Sequence, residues 1–362
     1  MKKNIGEWSE LLVLLKLLSE QKIAMADAAR VPMPGRFLVV SKVYKLLIGG
    51  GYIRFLLHQD AIDIYDDNDV FLRSIDRTDV RSWASQIAAG IEHGRKAGST
   101  TFEIEGASYT LESLKMAHGF KSPSSSKTDI EVVFHDTSTG VDVIRGFSIK
   151  SYAGASSTLL NVSAASCVEY RFEAPETKSV VDAVNSITGT GWLMKRGAMI
   201  CESASLKEIS IPSVSFSGNL SLIDDKMPEF YGHLLLASML RGNRLIDCLD
   251  QCVKQNVLGW KHPNLRKFYE YKLKLLLAEI AMGMTPGHEW SGSDRMYGGF
   301  LFLSYTLELL AISMNDRNEF ETYLLESTVF DTPSTKRHPQ GKAMLIGDDI
   351  NFVLNRQIRF IS

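Results

Sequence analysis

The sequence predicts a mixed α/β fold: a mixed β-sheet core flanked by helices, followed by a mostly helical C-terminal region. Three observations predict it. Short runs of β-branched and aromatic residues, separated by turn chemistry, fill Arg36–Ile75 and recur between Asp129 and Glu173. Two helical periodicities, Glu7–Glu20 and Arg77–Ala97, flank the first of these regions. Composition then shifts near Pro212–Gly218, and helical patterns follow one another at Met227–Arg241, Leu245–Val257, Leu265–Met282 and Gly299–Met314. This division gives two expected domains, residues 1–215 and residues 216–362. The second ends in strand-like Ala343–Ile346 and Ile350–Phe360, expected to return to the core.

Each element has a local reason. Glu7–Glu20 repeats leucines at helical spacing and is apolar enough to lie against a sheet. Residues 36–75 read as two or three strands broken at Gly49-Gly50-Gly51. Asp76 is placed to cap the helix that follows. Phe102–Ser108 reads as a short strand, Leu111–His118 as a short helix and Ser122–Ser126 as a loop. Asp129–His135 and Val141–Ser151 form a hairpin around Asp136-Thr-Ser-Thr-Gly140. Tyr152–Asn161 is a Gly/Ser-rich loop, Cys167–Glu173 a further strand and Lys178–Ile187 a helix.

Composition narrows the function classes. The 362 residues are 45% hydrophobic and 23% charged, ordinary for a globular chain that buries its own core. No run approaches the roughly eighteen apolar residues of a membrane helix. The N-terminal MKKNIGEWSE reaches acids before any signal-like apolar stretch, which leads to a cytoplasmic expectation. Cys167, Cys201, Cys248 and Cys252 fit no zinc spacing and read as reduced, with Cys248 and Cys252 as buried thiols. HExxH, Walker A and G-x-S-x-G patterns are missing from the chain, and Gly189-Thr-Gly191 is too short for a dinucleotide fingerprint. The aspartates of Asp60–Asp69 lack the glycine and glutamate of a calcium loop. A net charge of −2 argues against nonspecific coating of a polyanion, but the charge is uneven. Trp260–Lys274 holds five Lys or Arg against one acid, and Thr332–Ile346 holds Lys336, Arg337 and Lys342 with no acid.

The hairpin carries the chemistry. Asp129 opens its first strand and Lys150 ends the second, with alternation placing Asp129 beside Glu131 and Ser148 beside Lys150. An acid on one strand facing a lysine on its neighbour is the arrangement of metal-dependent nucleases of the PD-(D/E)xK type. Ser148 departs from that pattern, since a second acid is expected two residues before the lysine. A serine supplies no charge, so another carboxylate must reach the site. Glu7, Glu10, Glu131 and Glu169 are the candidates, with Glu10 favoured and Glu131 second.

Three blocks resemble the HpaII-type type II restriction endonucleases: Gly6–Glu10 with Leu11–Lys16, then Thr128-Asp-Ile with Phe147–Ser151, Gly154 and Thr158–Asn161, and finally Asp349–Phe360. The resemblance implies a restriction-endonuclease-like core and Mg²⁺-dependent hydrolysis of double-stranded DNA at a short palindrome of the CCGG kind. It implies Asp129 and Lys150 as catalytic residues and Asp129 as a metal ligand; Ser148 and Glu10 join the catalytic set, and Glu10, then Glu131, the metal ligands, on the argument about the missing acid. A companion DNA methyltransferase is implied as a functional partner without a stable complex, and a palindromic site is compatible with a homodimer. Asn161, Ser163, Lys336, Arg337 and Lys342 are candidate DNA contacts, from the loop after the hairpin and the acid-free basic segment. Two other readings remain open: a DNA-binding module that has lost its chemistry, for which Ser148 is the argument, and a repair-type nuclease.

Overall fold

A computed structural model describes residues 1–48, 50–117, 128–136, 140–154, 156–292, 298–332 and 340–361. In chain order, helix α1 (Ile5–Glu20) precedes strands β1 (Lys22–Ala26), β2 (Pro32–Leu46), β3 (Tyr52–Leu57), β4 (Ala61–Tyr65) and β5 (Phe71–Asp76). Helices α2 (Arg77–Lys96) and α3 (Ala107–Ser113) lead to β6 (Ile130–Asp136), β7 (Val141–Ser151), β8 (Thr158–Leu160) and β9 (Val168–Glu173). Next come α4 (Thr177–Ser186), α5 (Trp192–Ser203), β10 (Ser205–Ser210), α6 (Val214–Ile223), α7 (Met227–Arg241), α8 (Leu245–Gln255) and α9 (Leu265–Met282). The chain closes with β11 (Gly299–Leu303), β12 (Leu309–Ser313), α10 (Arg317–Glu326), β13 (Thr328–Asp331), β14 (Ala343–Ile346), β15 (Asp349–Leu354) and β16 (Gln357–Phe360).

The chain divides into two compact units, Met1–Ser157 with Arg295–Tyr323, and Thr158–Asp294 with Leu324–Ile361. It passes between them more than once, so the units do not follow a single cut at residue 215. The first unit is built on a sheet of order β1-β12-β11-β7-β6-β2-β3-β4-β5, and an added β1–β2 pairing closes six of its strands into a barrel. β6 and β7 are antiparallel, as the hairpin reading requires, and β7 is parallel to β11. Gly299–Met314, expected as a helix, is instead the antiparallel pair β11–β12. Both strands are buried on both faces, so their apolar runs carry no period-2 alternation to distinguish them from a buried helix. It is this pair, not the terminal strands, that joins the sheet of the β6–β7 hairpin.

Helix α1 is set by its ends and its burial. Asn4 accepts from the Glu7 amide while the Glu7 carboxylate accepts from the Asn4 amide, a capping box. Gln21 takes the left-handed conformation that ends the helix. Arg77 then spans its last carbonyls, donating to Ser19 at 2.6 Å. Leu11, Leu12, Val13, Leu14, Leu15, Leu17 and Leu18 are buried, so this helix is apolar nearly all round, inside the core of the first unit. Asp76 caps α2, accepting from the Thr78 amide at 2.7 Å.

The second unit contains a sheet of order β10-β9-β15-β14 and another of order β13-β16-β8. The helical stretch is confined to α6–α9, residues 214–282. Its terminal strands pair with β9, β13 and β8 rather than with the β6–β7 hairpin. Thr158–Leu160, expected as part of a loop, is a strand because Leu160 pairs with Ile358. Arg356 is 1% exposed in this unit, donating to Ser238 Oγ at 2.8 Å and Asn243 Oδ1 at 3.0 Å. Cys248 and Cys252 are free, buried thiols, and burial pushes Cys248 up to about 12. No helix among the described residues is long and apolar enough to cross a membrane.

Gly299 starts β11 at φ +108°, and a Cβ there would lie 2.2 Å from the Ile312 carbonyl oxygen. Gly299→Ala is expected to destabilise the protein by at least ~1–3 kcal/mol from the backbone conformation alone. The midpoint of urea unfolding measures it, and an unchanged midpoint would contradict this reading of the β11–β12 pair.

Candidate active site

Asp129 lies in the bend just before β6, and its amide donates to the Phe147 carbonyl at 2.9 Å. That bond, with Ile130 opposite Phe147 in the ladder, brings Asp129 level with Ser148 on β7. The Ser148 hydroxyl donates to Asp129 Oδ2 at 3.1 Å, and the Ile149 amide donates to the same oxygen at 2.7 Å. Lys150 Nζ donates to Ser148 Oγ at 2.9 Å. The serine therefore supplies no charge but couples the lysine to the aspartate through one oxygen.

Helix α1 brings the second acid. Ser9 Oγ and Ser151 Oγ are 2.8 Å apart, a hydrogen bond that ties the helix to β7 one residue from Glu10 and one from Lys150. Burial lowers the Lys150 pKa, and the charges of Asp129 and Glu10 oppose that shift. Lys150 also stands 5.3 Å from the centre of the Phe300 ring on the neighbouring strand. The aromatic wall continues through Phe302 to Tyr152 and Tyr323, whose hydroxyls hydrogen-bond each other.

Lys45, on β2, escaped the sequence reading. Its side chain is 1% exposed; its Nζ lies 3.6 Å from Glu10 Oε2 and donates to the Asp129 carbonyl at 3.0 Å. Burial lowers its pKa as well, again opposed by Glu10 and then Asp129. Its place is core-facing, two residues from the buried Val43 on the same face of β2, and nothing in the spacing of the sequence marks it.

Not every candidate joins this cluster. Asp129 lies in the bend before β6, and the acids whose charges act on Lys45 and Lys150 are Asp129 and Glu10. Glu131 pairs with Tyr44 across the ladder, and its charge acts on the Tyr44 hydroxyl. Glu7 is engaged in the α1 capping box, and Glu169 belongs to the second unit. Asn161, Ser163 and Lys342 are also in the second unit. Asn161 and Lys342 are exposed, whereas Ser163 caps a short turn, accepting from the Ala165 amide at 3.2 Å. Lys336 and Arg337 lie outside the described residues, as does the Ser122–Ser126 segment. On Trp260–Lys274, acids already engage three of the five basic residues: Arg266 with Asp250, Lys272 with Asp224, and Lys274 with Glu270.

Carboxylates from α1 and from the hairpin, met by the buried Lys45 and the partly buried Lys150, form a set of hard oxygen donors that could hold a divalent cation such as Mg²⁺. Among the described residues no three His, Cys, Asp or Glu side chains converge. A cation held by Asp129 and Glu10 would complete its shell with water and substrate phosphate, as Mg²⁺ commonly does. An acid–lysine hairpin with an acid delivered by a preceding helix is an arrangement that could hold a cation beside a phosphate.

Comparison with known proteins supplies the class. Residues 4–360 match the HpaII restriction endonuclease family. The chain is 32% identical over 366 residues to the type II restriction enzyme HpaII of Haemophilus parainfluenzae, covering 99% of this chain and 98% of that protein. No solved structure matches. The chain belongs to the HpaII restriction endonuclease family and is a homologue of a type II restriction enzyme, a site-specific deoxyribonuclease.

Ser148→Ala is expected to remove the bridge between Lys150 and Asp129 and to cost ~1–3 kcal/mol, since a partly buried ammonium loses an acceptor. Urea unfolding measures that loss and a DNA-cleavage time course measures the accompanying fall in rate. Unchanged stability and rate would show that the bridge is dispensable.

Proposed function

We propose that this enzyme hydrolyses double-stranded DNA at a short palindrome, CCGG by its likeness to the HpaII-type enzymes, using Mg²⁺ held by Asp129 and Glu10. The observation that carries the proposal is the convergence of Asp129, Glu10, Ser148 and Lys150 at one end of the hairpin. We read α1, the β2–β6–β7 strands and parallel β11 as a restriction-endonuclease-like core.

When bound, the divalent ion stabilises charge on the scissile phosphate and makes water a competent nucleophile at neutral pH. Asp129 accepts two hydrogen bonds at Oδ2, which fix the carboxylate orientation before substrate arrives. Glu10 supplies the acid that Ser148 does not. Lys150 stays in register through Ser148, where its ammonium balances charge on the pentavalent phosphate and orients the attacking water. The low-dielectric surroundings strengthen both interactions.

Duplex DNA is the substrate in this reading, with a companion methyltransferase protecting the host's own sites and a homodimer matching the two-fold palindrome. A cytoplasmic location follows from that role. Asn161 and Lys342 are the exposed described candidates for DNA contact, and Glu131 the reserve ligand. One observation favours a second reading, a DNA-binding protein without chemistry: Ser148 occupies a position where an acid is expected. Glu10 beside Lys45 answers that objection, because the second carboxylate arrives from the helix.

Plasmid incubated with Mg²⁺ should yield discrete fragments, and EDTA should abolish cutting. Asp129→Asn and Lys150→Met should each reduce cleavage by at least a thousandfold while leaving duplex binding measurable, and Glu10→Gln should be about as severe as Asp129→Asn. Fragment-free incubation with retained binding would establish the second reading, and full activity of Glu10→Gln would move the second ligand to Glu131. Lys342→Ala should weaken binding equally for all sequences and make the salt slope shallower by about one if it contacts phosphate. An unchanged slope in a salt titration would remove Lys342 from the interface.

A further inference from the structure

Lys45 is, among the described residues, the fully buried ammonium of the first unit, and the mechanism above does not use it. It sits on β2, at 1% side-chain exposure, with Nζ 3.6 Å from Glu10 Oε2 and 3.0 Å from the Asp129 carbonyl oxygen. It therefore touches both segments that deliver an acid: the helix through a side chain, and the hairpin through its main chain. A buried lysine held at such a place has a cost that a methionine of similar length would not incur. Packing alone does not require the charge.

We propose that Lys45 is a positioning residue that takes the place of a cation in the site, holding Glu10 and the Asp129 backbone together and limiting how tightly a divalent ion is retained. The inference rests on the reading of Asp129 and Glu10 as metal ligands. Its physical basis is that one carboxylate, Glu10, faces both Lys45 and the incoming ion. An ammonium a few ångströms from a divalent cation in a low-dielectric site repels it strongly. Metal retention is thereby weakened, while the tether on Asp129 keeps the geometry needed for the reaction. The two effects of Lys45 have opposite signs on binding and on turnover, which separates this role from simple structural support.

The test is calorimetric titration with Ca²⁺, a hard cation with the same preference for oxygen donors, on the full chain and on Lys45→Met, Lys45→Arg and Asp129→Asn. Circular dichroism and thermal melting confirm that each variant is folded. Lys45→Met is expected to bind Ca²⁺ at least tenfold more tightly than the unsubstituted protein. Its kcat for plasmid cleavage should fall by about tenfold, and half-maximal activity should need less Mg²⁺. Lys45→Arg, which keeps the charge, should keep the weaker binding. If Lys45→Met does not fold, Lys45→Gln, neutral and still able to donate to the Asp129 carbonyl, carries the same expectation of tighter Ca²⁺ binding. Equal or weaker Ca²⁺ binding in the neutral variant, with binding lost in Asp129→Asn, would overturn the role of Lys45 and leave the metal site standing. Ca²⁺ binding unaffected by Asp129→Asn would overturn both.

Discussion

The site depends on the meeting of two poorly solvated ammonium groups, the buried Lys45 and the partly buried Lys150, with the carboxylates of Asp129 and Glu10. Neither lysine is placed by its own strand alone. Lys150 is held by Ser148, which also holds Asp129. Lys45 is held by the Asp129 carbonyl and by Glu10. Burial disfavours both charged lysines, and the two acids offset part of that penalty. Removing one charge would strand its partner in a poorly solvated place, so the cluster constrains β2, β7 and the start of β6 together. The same mutual dependence keeps two acids converged before any substrate binds.

The remaining architecture of the first unit serves to bring those groups together. A helix apolar on nearly every side lies within the sheet's core, carrying the partly exposed acid Glu10 toward Lys45. The Ser9–Ser151 hydrogen bond fixes the helix to β7 beside that acid. On the other side of β7, the parallel strand β11 supplies Phe300 and Phe302, with the ring of Phe300 facing Lys150. Water-poor walls raise the strength of every charge interaction within the site. Rigidity of this kind suits an enzyme that must present a fixed constellation to a phosphate.

Much of this was legible in the sequence, and the gaps have physical causes. The hairpin was readable because β-branched runs flank strong turn chemistry, and Asp129 and Lys150 stand at its open end. Glu10 was readable once Ser148 left a charge unaccounted for. Lys45 was not, because a single lysine in a strand gives no spacing or partner that marks it as buried; only the fold brings Asp129 and Glu10 to it. β11 and β12 were misread as a helix because strands buried on both faces lose the alternation that identifies them. Alternation put Glu131 beside Asp129 but could not tell which acid acts on the lysines; in the fold those charges are Asp129 and Glu10. The contacts that would read DNA bases were least legible, since specificity resides in side chains on loops and nothing in the spacing of Asn161 or Lys342 marks a base partner.

The most direct test of the central claim, that Asp129 and Glu10 together form the cation site, is a crystal structure grown with duplex DNA and Ca²⁺ in place of Mg²⁺. The account requires a peak of cation density with one oxygen of Asp129 and one of Glu10 at about 2.3–2.6 Å, and a phosphate oxygen completing the shell. Density bound by Asp129 without Glu10, or a cation held elsewhere with Glu10 still paired to Lys45, would contradict it.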